Sequence, residues 1–325
     1  MQQARVIPLS RAERHRGGGP ARPVAEAGPL VEPTPLHPPR EQATPDGLTG
    51  ALAGAVGFLR RRLAGDYPID EFGFDPELTD AVLLPPLRLL ARRWFRMEVS
   101  GVEHLPADGA ALVVCNHSGT LPLDAVMTAV AVRDHHPGGR HLRMLGADLV
   151  FQTPLLGALA RKSGQTLACN PDAERLLRAG ELVGVWPEGF KGIGKPFRDR
   201  YKLQRFGRGG FVSAAIRTGV PIIPCSIVGA EEIYPKVADL RPLARLLGLP
   251  YFPVTPFFPL FGPLGMIPLP SKWHIEFGEP ISTAGHRGAE DDPMLVFNLT
   301  DQVRETIQQN LYRLLAHRPN PFLGG

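Results

Sequence analysis

The sequence predicts an α/β protein: a mainly parallel sheet flanked by helices, preceded by N-terminal amphipathic helices and a disordered tail. Three observations carry this. From Glu98 onward, short apolar runs with strand character alternate with helical windows, the pattern of a parallel sheet with crossover helices. The 325-residue chain is 43% hydrophobic, enough for a sizeable core. Residues 1–47 hold nine of the 35 prolines and no aromatic residue or cysteine, a composition that cannot bury enough surface to offset its ordering entropy. The expected layout is a tail over 1–47, a helical segment over 48–97 and a folded domain over 98–325.

Each element follows from its local pattern. "LTGALAGAVGFLRRRL" (48–63) is apolar with a basic end and reads as an amphipathic helix, and "DYPIDEFGFDPEL" (66–78) as an acidic linker. In "PPLRLLARRWFRM" (85–97), Pro85 and Pro86 suit the start of a helix rather than its interior. At ~100° per residue, Arg88, Arg92, Arg96 and Arg93 share one side of that helix, next to Trp94 and Phe95. Either the helix docks on its own core or it lies at an anionic membrane surface. Strands are expected at 98–100, 110–115, 142–146, 182–186, 221–228 and 272–277, with helices at 123–134, 147–161, 171–180, 209–218 and 293–317. The uncharged window 247–270 is long enough to cross a bilayer, but its seven prolines exclude a regular helix. It must be an irregular apolar segment. No secretory signal is visible. The three cysteines have neither paired nor metal-ligand spacing and read as buried thiols of a reducing compartment. The net charge of +4 is mild, and neither a nucleic-acid partner nor a metal is expected.

The residues with chemical potential sit where strands run out. In "VVCNHSGTLPLD" (113–124) a buried strand ends at His117, and Asp124 opens the next helix. Open α/β sheets hold their sites at the carboxyl ends of strands, and an imidazole's ordinary pKa near neutrality suits a general base. Taken singly, His117 is an ordinary loop histidine and Asp124 a helix N-terminal acid favoured by the dipole. A second strand runs into "GVWPEGFKGIGK" (184–195), followed by Lys191, Lys195, Arg198, Arg200, Lys202, Arg205 and Arg208 against the single acid Asp199. Glycines there let backbone amides approach an anion, and a solvated basic loop is the plainer reading. No phosphate-loop pattern occurs, so a nucleotide triphosphatase is not supported.

Over residues 98–282 the chain resembles the glycerophospholipid (lysophospholipid) acyltransferase superfamily, a resemblance that rests on four ordered blocks. "NHSGTLPLD" (116–124) is similar to the family's Asn-His-Ser…Asp block, and "PLLGALARKSG" (154–164) to a block carrying a glycine and an arginine, here Gly157 and Arg161. "VWPEGFKG" (185–192) is similar to Phe-Pro-Glu-Gly-Thr-Arg, and "GVPIIPCSIVG" (219–229) to an apolar Val-Pro-Ile-Ile-Pro block. The resemblance implies transfer of a fatty acyl group from a thioester to a glycerolipid hydroxyl, with phospholipid biosynthesis as the setting. It implies His117 as the base and Asp124 as its orienting partner. It makes Gly157, Arg161, Glu188, Gly189 and Lys191 substrate-binding residues. No cofactor is implied beyond acyl-CoA, or an acyl carrier protein, as co-substrate.

Two departures matter. Six residues, Ser118 to Leu123, separate histidine from aspartate where the family has four. Either the extra pair loops out while Asp124 reaches the ring, or the pairing is weakened. Lys191 stands for the family's arginine and loses bidentate phosphate recognition, which opens a second reading: a mono- or diacylglycerol-type acceptor without phosphate. A hydrolase using Ser118 and a non-catalytic lipid-binding homologue are two further readings; no G-x-S-x-G elbow supports the hydrolase. The expected location is the cytoplasmic face of a membrane, bound peripherally to its lipids through Arg60–Arg62, the Arg88–Arg96 stripe and the 247–270 window.

Overall fold

The structure, a computed structural model, describes residues 47–322 apart from 208 and 319. The tail expected over 1–47 falls almost wholly outside the described residues, as does Arg208. Strands occur at β1 Glu98–Ser100, β2 Ala111–Cys115, β3 Leu142–Gly146, β4 Thr166–Leu167, β5 Leu182–Val185, β6 Ile222–Val228, β7 Ala238–Asp239, β8 Pro253–Val254 and β9 His274–Phe277. Seven of them form one sheet in the order β1-β9-β6-β2-β5-β3-β4, while β7 and β8 pair separately. Every pair in the large sheet is parallel except β6 with β9.

Strand β2 is central, flanked by β5 and β6 and buried along its whole length. Its side chains alternate between two apolar layers. Val113 and Cys115 enter one with Met127 and Val130 of the helix Leu123–His135. Leu112 and Val114 enter the other with Val212 and Ile216 of the helix Gly210–Thr218 and Val303 and Ile307 of the helix Pro293–Ala316. Burial on both faces explains why the strand reads as a continuous apolar run. Because β2, β5 and β6 are parallel, their carboxyl ends open on one side of the sheet, and the loops carrying His117, Glu188 and Glu231 leave there.

Local structure departs from expectation at two places. Pro85 and Pro86 lie inside a helical run, not at its start: the chain is helical from Pro76 to Trp94, capped by Asp75, whose carboxylate accepts the Leu78 N–H. A wide turn over Thr79–Leu83, closed by the Leu84 N–H on the Thr79 carbonyl five residues back, shifts the hydrogen-bond register just before the prolines. The single helix expected over 147–161 is two, Asp148–Gln152 and Leu156–Lys162, broken before Pro154 where Leu155 takes φ +64°. The arginine stripe is largely engaged by the fold. Arg88 and Arg92 lie 2.7 and 3.6 Å from Asp134, Arg96 donates to the carbonyls of Pro270 and Pro321, and Phe95 is fully buried against Trp273. Arg61 and Arg62 pair with Asp75 and Glu77 in the same way.

Candidate active site

Asn116, the first residue past β2, is buried, and its amide donates to the Ile227 carbonyl at 3.0 Å and accepts the Ile227 N–H at 2.7 Å. One side chain thereby extends the β2–β6 ladder by a residue and fixes where His117 leaves the sheet. The His117 N–H donates to Glu188 Oε1 at 2.8 Å, and its ring Nδ1 lies 2.7 Å from Asp124 Oδ2. Asp124 is fully buried and well supplied with donors: Oδ2 also accepts the Ser118 N–H and Oδ1 the Ala125 N–H, both at 2.9 Å. A carboxylate so held accepts a proton donor at Nδ1, which leaves Nε2 as the basic nitrogen.

The longer spacing is absorbed locally. Gly119 at φ +91° and Thr120 at φ +60° reverse the chain, and tight turns close from Leu121 N–H to the Gly119 carbonyl and from Leu123 N–H to the Leu121 carbonyl. The bulge is anchored from outside. Thr120 N–H donates to the Ile193 carbonyl at 3.2 Å, and the Tyr251 hydroxyl donates to the Thr120 carbonyl. A Cβ on Gly119 would lie 2.7 Å from the Ala230 carbonyl, so the turn fits only glycine.

The sequence-predicted site residues separate into two groups. His117, Asp124 and Glu188 come together at the ends of β2 and β5. Glu188 is 3% exposed and both of its oxygens have internal partners: Oε1 takes His117 N–H, Oε2 takes Gln204 N–H at 2.6 Å and lies 3.3 Å from Lys195 Nζ. Gly189 and Lys191 are exposed at the start of the short helix Phe190–Ile193. Gly157 and Arg161 lie on the helix Leu156–Lys162 after β3, two strands from β2. Gly157 is buried where a Cβ would meet the Phe151 carbonyl at 2.5 Å, and the Arg161 guanidinium stacks 4.8 Å over the Phe151 ring.

Comparison with known proteins bears on the family and the fold. The Acyltransferase family matches residues 96–228. An uncharacterized protein of Mycobacterium tuberculosis is 63% identical over 284 residues, 87% of this chain and 79% of its own. The human protein named DGAT1/2-independent enzyme synthesizing storage lipids is 29% identical over 192 residues, 58% of this chain and 54% of its own. In fold, the chain is similar to the crystal structure of the 1-acyl-sn-glycerophosphate acyltransferase PlsC from Thermotoga maritima, with TM-score 0.50 and 19% identity over 83% of this chain and 91% of that one. The chain belongs to the acyltransferase family.

As an acyltransferase it carries site residues to which the motifs alone give no role. Asn116 is one, since its partner Ile227 lies 111 residues away. Gly192 reads in sequence as one more loop glycine, yet a Cβ there would lie 2.7 Å from Glu188 Cβ and 2.8 Å from both His117 Cβ and the His117 carbonyl. Only the folded structure brings these atoms to that glycine. Replacing Gly192 with alanine is therefore expected to displace the histidine loop and lower turnover by about 10-fold or more, given that a misplacement of ~1 Å costs about 100-fold. Steady-state rates of the variant check this, with the melting temperature measured alongside.

Proposed function

We propose that the protein transfers a fatty acyl group from acyl-CoA to a hydroxyl of a glycerolipid such as lysophosphatidic acid, with His117 as general base. The observation that carries the reading is the 2.7 Å contact between His117 Nδ1 and the buried Asp124 carboxylate. In this reading Nε2 takes the proton of the acceptor hydroxyl as its oxygen attacks the thioester carbonyl, and Asp124 stabilises the imidazolium that forms. The protonated ring then supplies the proton to the departing thiolate. Base catalysis of this kind is worth about 10²–10⁴-fold. Arg161 and Lys191 are the acceptor's cationic contacts in this proposal, and Glu188 serves by holding the His117 backbone.

Lys191 in place of arginine favours a second reading, an unphosphorylated mono- or diacylglycerol acceptor. One experiment decides. Purified enzyme is given labelled oleoyl-CoA with lysophosphatidic acid, with monoacylglycerol, with diacylglycerol, or with no acceptor, and the lipid products are read by mass spectrometry. Acylated product with the phosphorylated acceptor supports the first reading, and product only with neutral acceptors moves it to the second. Thioester loss without acylated product would leave a hydrolase.

We also propose that the enzyme works at a membrane surface, held mainly by apolar contact. Among the described residues no helix is long and apolar enough to cross a bilayer. The proline-broken window instead exposes Leu260 (79%), Leu264 (70%) and Phe261 (56%), with Phe257, Met266 and Ile267 beside them. Burying three such side chains is worth about 1.5–3 kcal/mol each. Changing Leu260, Phe261 and Leu264 together to serine should release the protein from vesicles in a sedimentation assay. Neutralising Arg88 and Arg92 should instead lower the melting temperature, because Asp134 loses its partners. Unchanged sedimentation of the triple-serine variant would remove the window as the anchor.

A further inference from the structure

Next to the histidine loop lies a row of buried charges of which the acyl-transfer reading uses only Glu188. Lys195 is 8% exposed, with its Nζ 3.3 Å from Glu188 Oε2 and 3.1 Å from Glu231 Oε1, and it donates to the Lys202 carbonyl at 3.3 Å. Glu188 follows β5 and Glu231 follows β6, the two strands that flank β2. A single ammonium thus ties together the loops that follow the two strands on either side of β2, the strand that leads to His117. Glu188 in turn accepts the His117 N–H and the Gln204 N–H.

We propose that Lys195 is a positioning residue for acyl transfer: it holds Glu188 in place, and through Glu188 fixes the backbone of His117 so that the ring meets both Asp124 and substrate. The proposal rests on His117 acting as the base. Its physical basis is charge balance. Two carboxylates buried side by side repel, and each is costly without a counter-charge. Burial already pushes the Glu231 carboxyl up to about 7, against the pull of Lys195 and with the charge of Glu188 adding to the rise. Without the ammonium, Glu188 loses its counter-charge at Oε2 and Glu231 loses the pull that holds its carboxyl down. Glu188 is then driven from the position in which it receives the His117 amide. A lysine that served only the fold would move stability and leave the His117 amide as protected as before. A lysine that touched substrate would move KM.

The test compares the parent with Lys195→Met, Glu231→Gln and the double variant, using oleoyl-CoA and lysophosphatidic acid under one set of conditions. In Lys195→Met, kcat is expected to fall about 100-fold, the scale of a ~1 Å misplacement, with both KM values within about 3-fold. Amide hydrogen exchange at His117 should speed up in the same variant, a readout independent of turnover. Adding Glu231→Gln removes the second carboxyl's charge and should recover about 5-fold of the lost kcat while leaving it below the parent's, on the additivity failure expected of residues in contact. Parent-like kcat, or a KM rise at constant kcat, overturns the proposal, as does unchanged protection of the His117 amide. If Lys195→Met does not fold, the double variant carries the test alone. Depressed kcat with faster His117 exchange supports the proposal, and parent values of both sink it. His117→Ala, assayed in parallel, separates the two ideas. Full activity there removes the base, while the exchange measurement still reports whether Lys195 holds the loop.

Discussion

Replacing His117 with alanine is expected to reduce acyl transfer by about 10²–10⁴-fold, the full worth of a positioned base, and to leave the protein folded. The separation of these effects follows from the hydrogen bonds. The backbone N–H that His117 gives to Glu188 survives the substitution. Asp124 keeps the Ser118 and Ala125 amides as donors, so no carboxylate is left buried without a partner. The ring keeps 12% of its side-chain surface accessible, so water can enter the space its loss leaves. Turnover of oleoyl-CoA with acceptor, read beside a thermal melt, checks the prediction. A folded variant with near-normal turnover would end the proposed mechanism.

Asp124→Asn is expected to come close to the same loss, and by a different route. Oδ2 accepts from His117 and Ser118 while Oδ1 accepts from Ala125, so every position around the carboxylate faces a donor. An asparagine must put its NH₂ toward one set or the other. Facing Ala125 it sets donor against donor; facing His117 it forces the ring to the tautomer with the proton on Nε2, where it cannot act as a base. Turnover should fall by about 10²–10⁴-fold with the acceptor's KM little changed, because an orienting group acts chiefly in the transition state. A variant altered in KM alone would make Asp124 a substrate contact or a helix-start acid. Some stability should also be lost, because a buried donor is left unpaired in either rotamer, at a cost of about 1–3 kcal/mol.

Legibility in the sequence divides along the range of the interactions involved. Strands β2, β5 and β6 are legible because burial on both sheet faces leaves near-continuous apolar runs, and β9 and the helix Leu123–His135 because side-chain periodicity is a local property. The histidine and aspartate are legible because both belong to one strand–loop–helix unit. The two-residue strands β4, β7 and β8 are not, since so short a run has no periodicity to read. Pro85 and Pro86 mislead because a wide helical turn upstream accommodates them, and a residue-by-residue rule does not include that turn. The motif around Glu188 points it toward substrate. Its partners, the amides of His117 and Gln204, come from loops that only the tertiary fold brings near it. The arginine stripe is present as a pattern, but its counter-ion Asp134 sits 46 residues downstream of Arg88.

The lengthened loop between His117 and Asp124 also has a consequence for descent. Its extra backbone must be ordered at about 1–2 kcal/mol per residue, and part of that cost is met by Tyr251, which reaches from the proline-broken window to the Thr120 carbonyl. An ancestor with the family's four-residue spacing has no such bulge for a tyrosine at this point to hold. Insertion and tyrosine are therefore expected to be inherited as a pair: lineages that shortened the loop would be free to lose the tyrosine, and those that kept the bulge would keep a hydroxyl to clasp it.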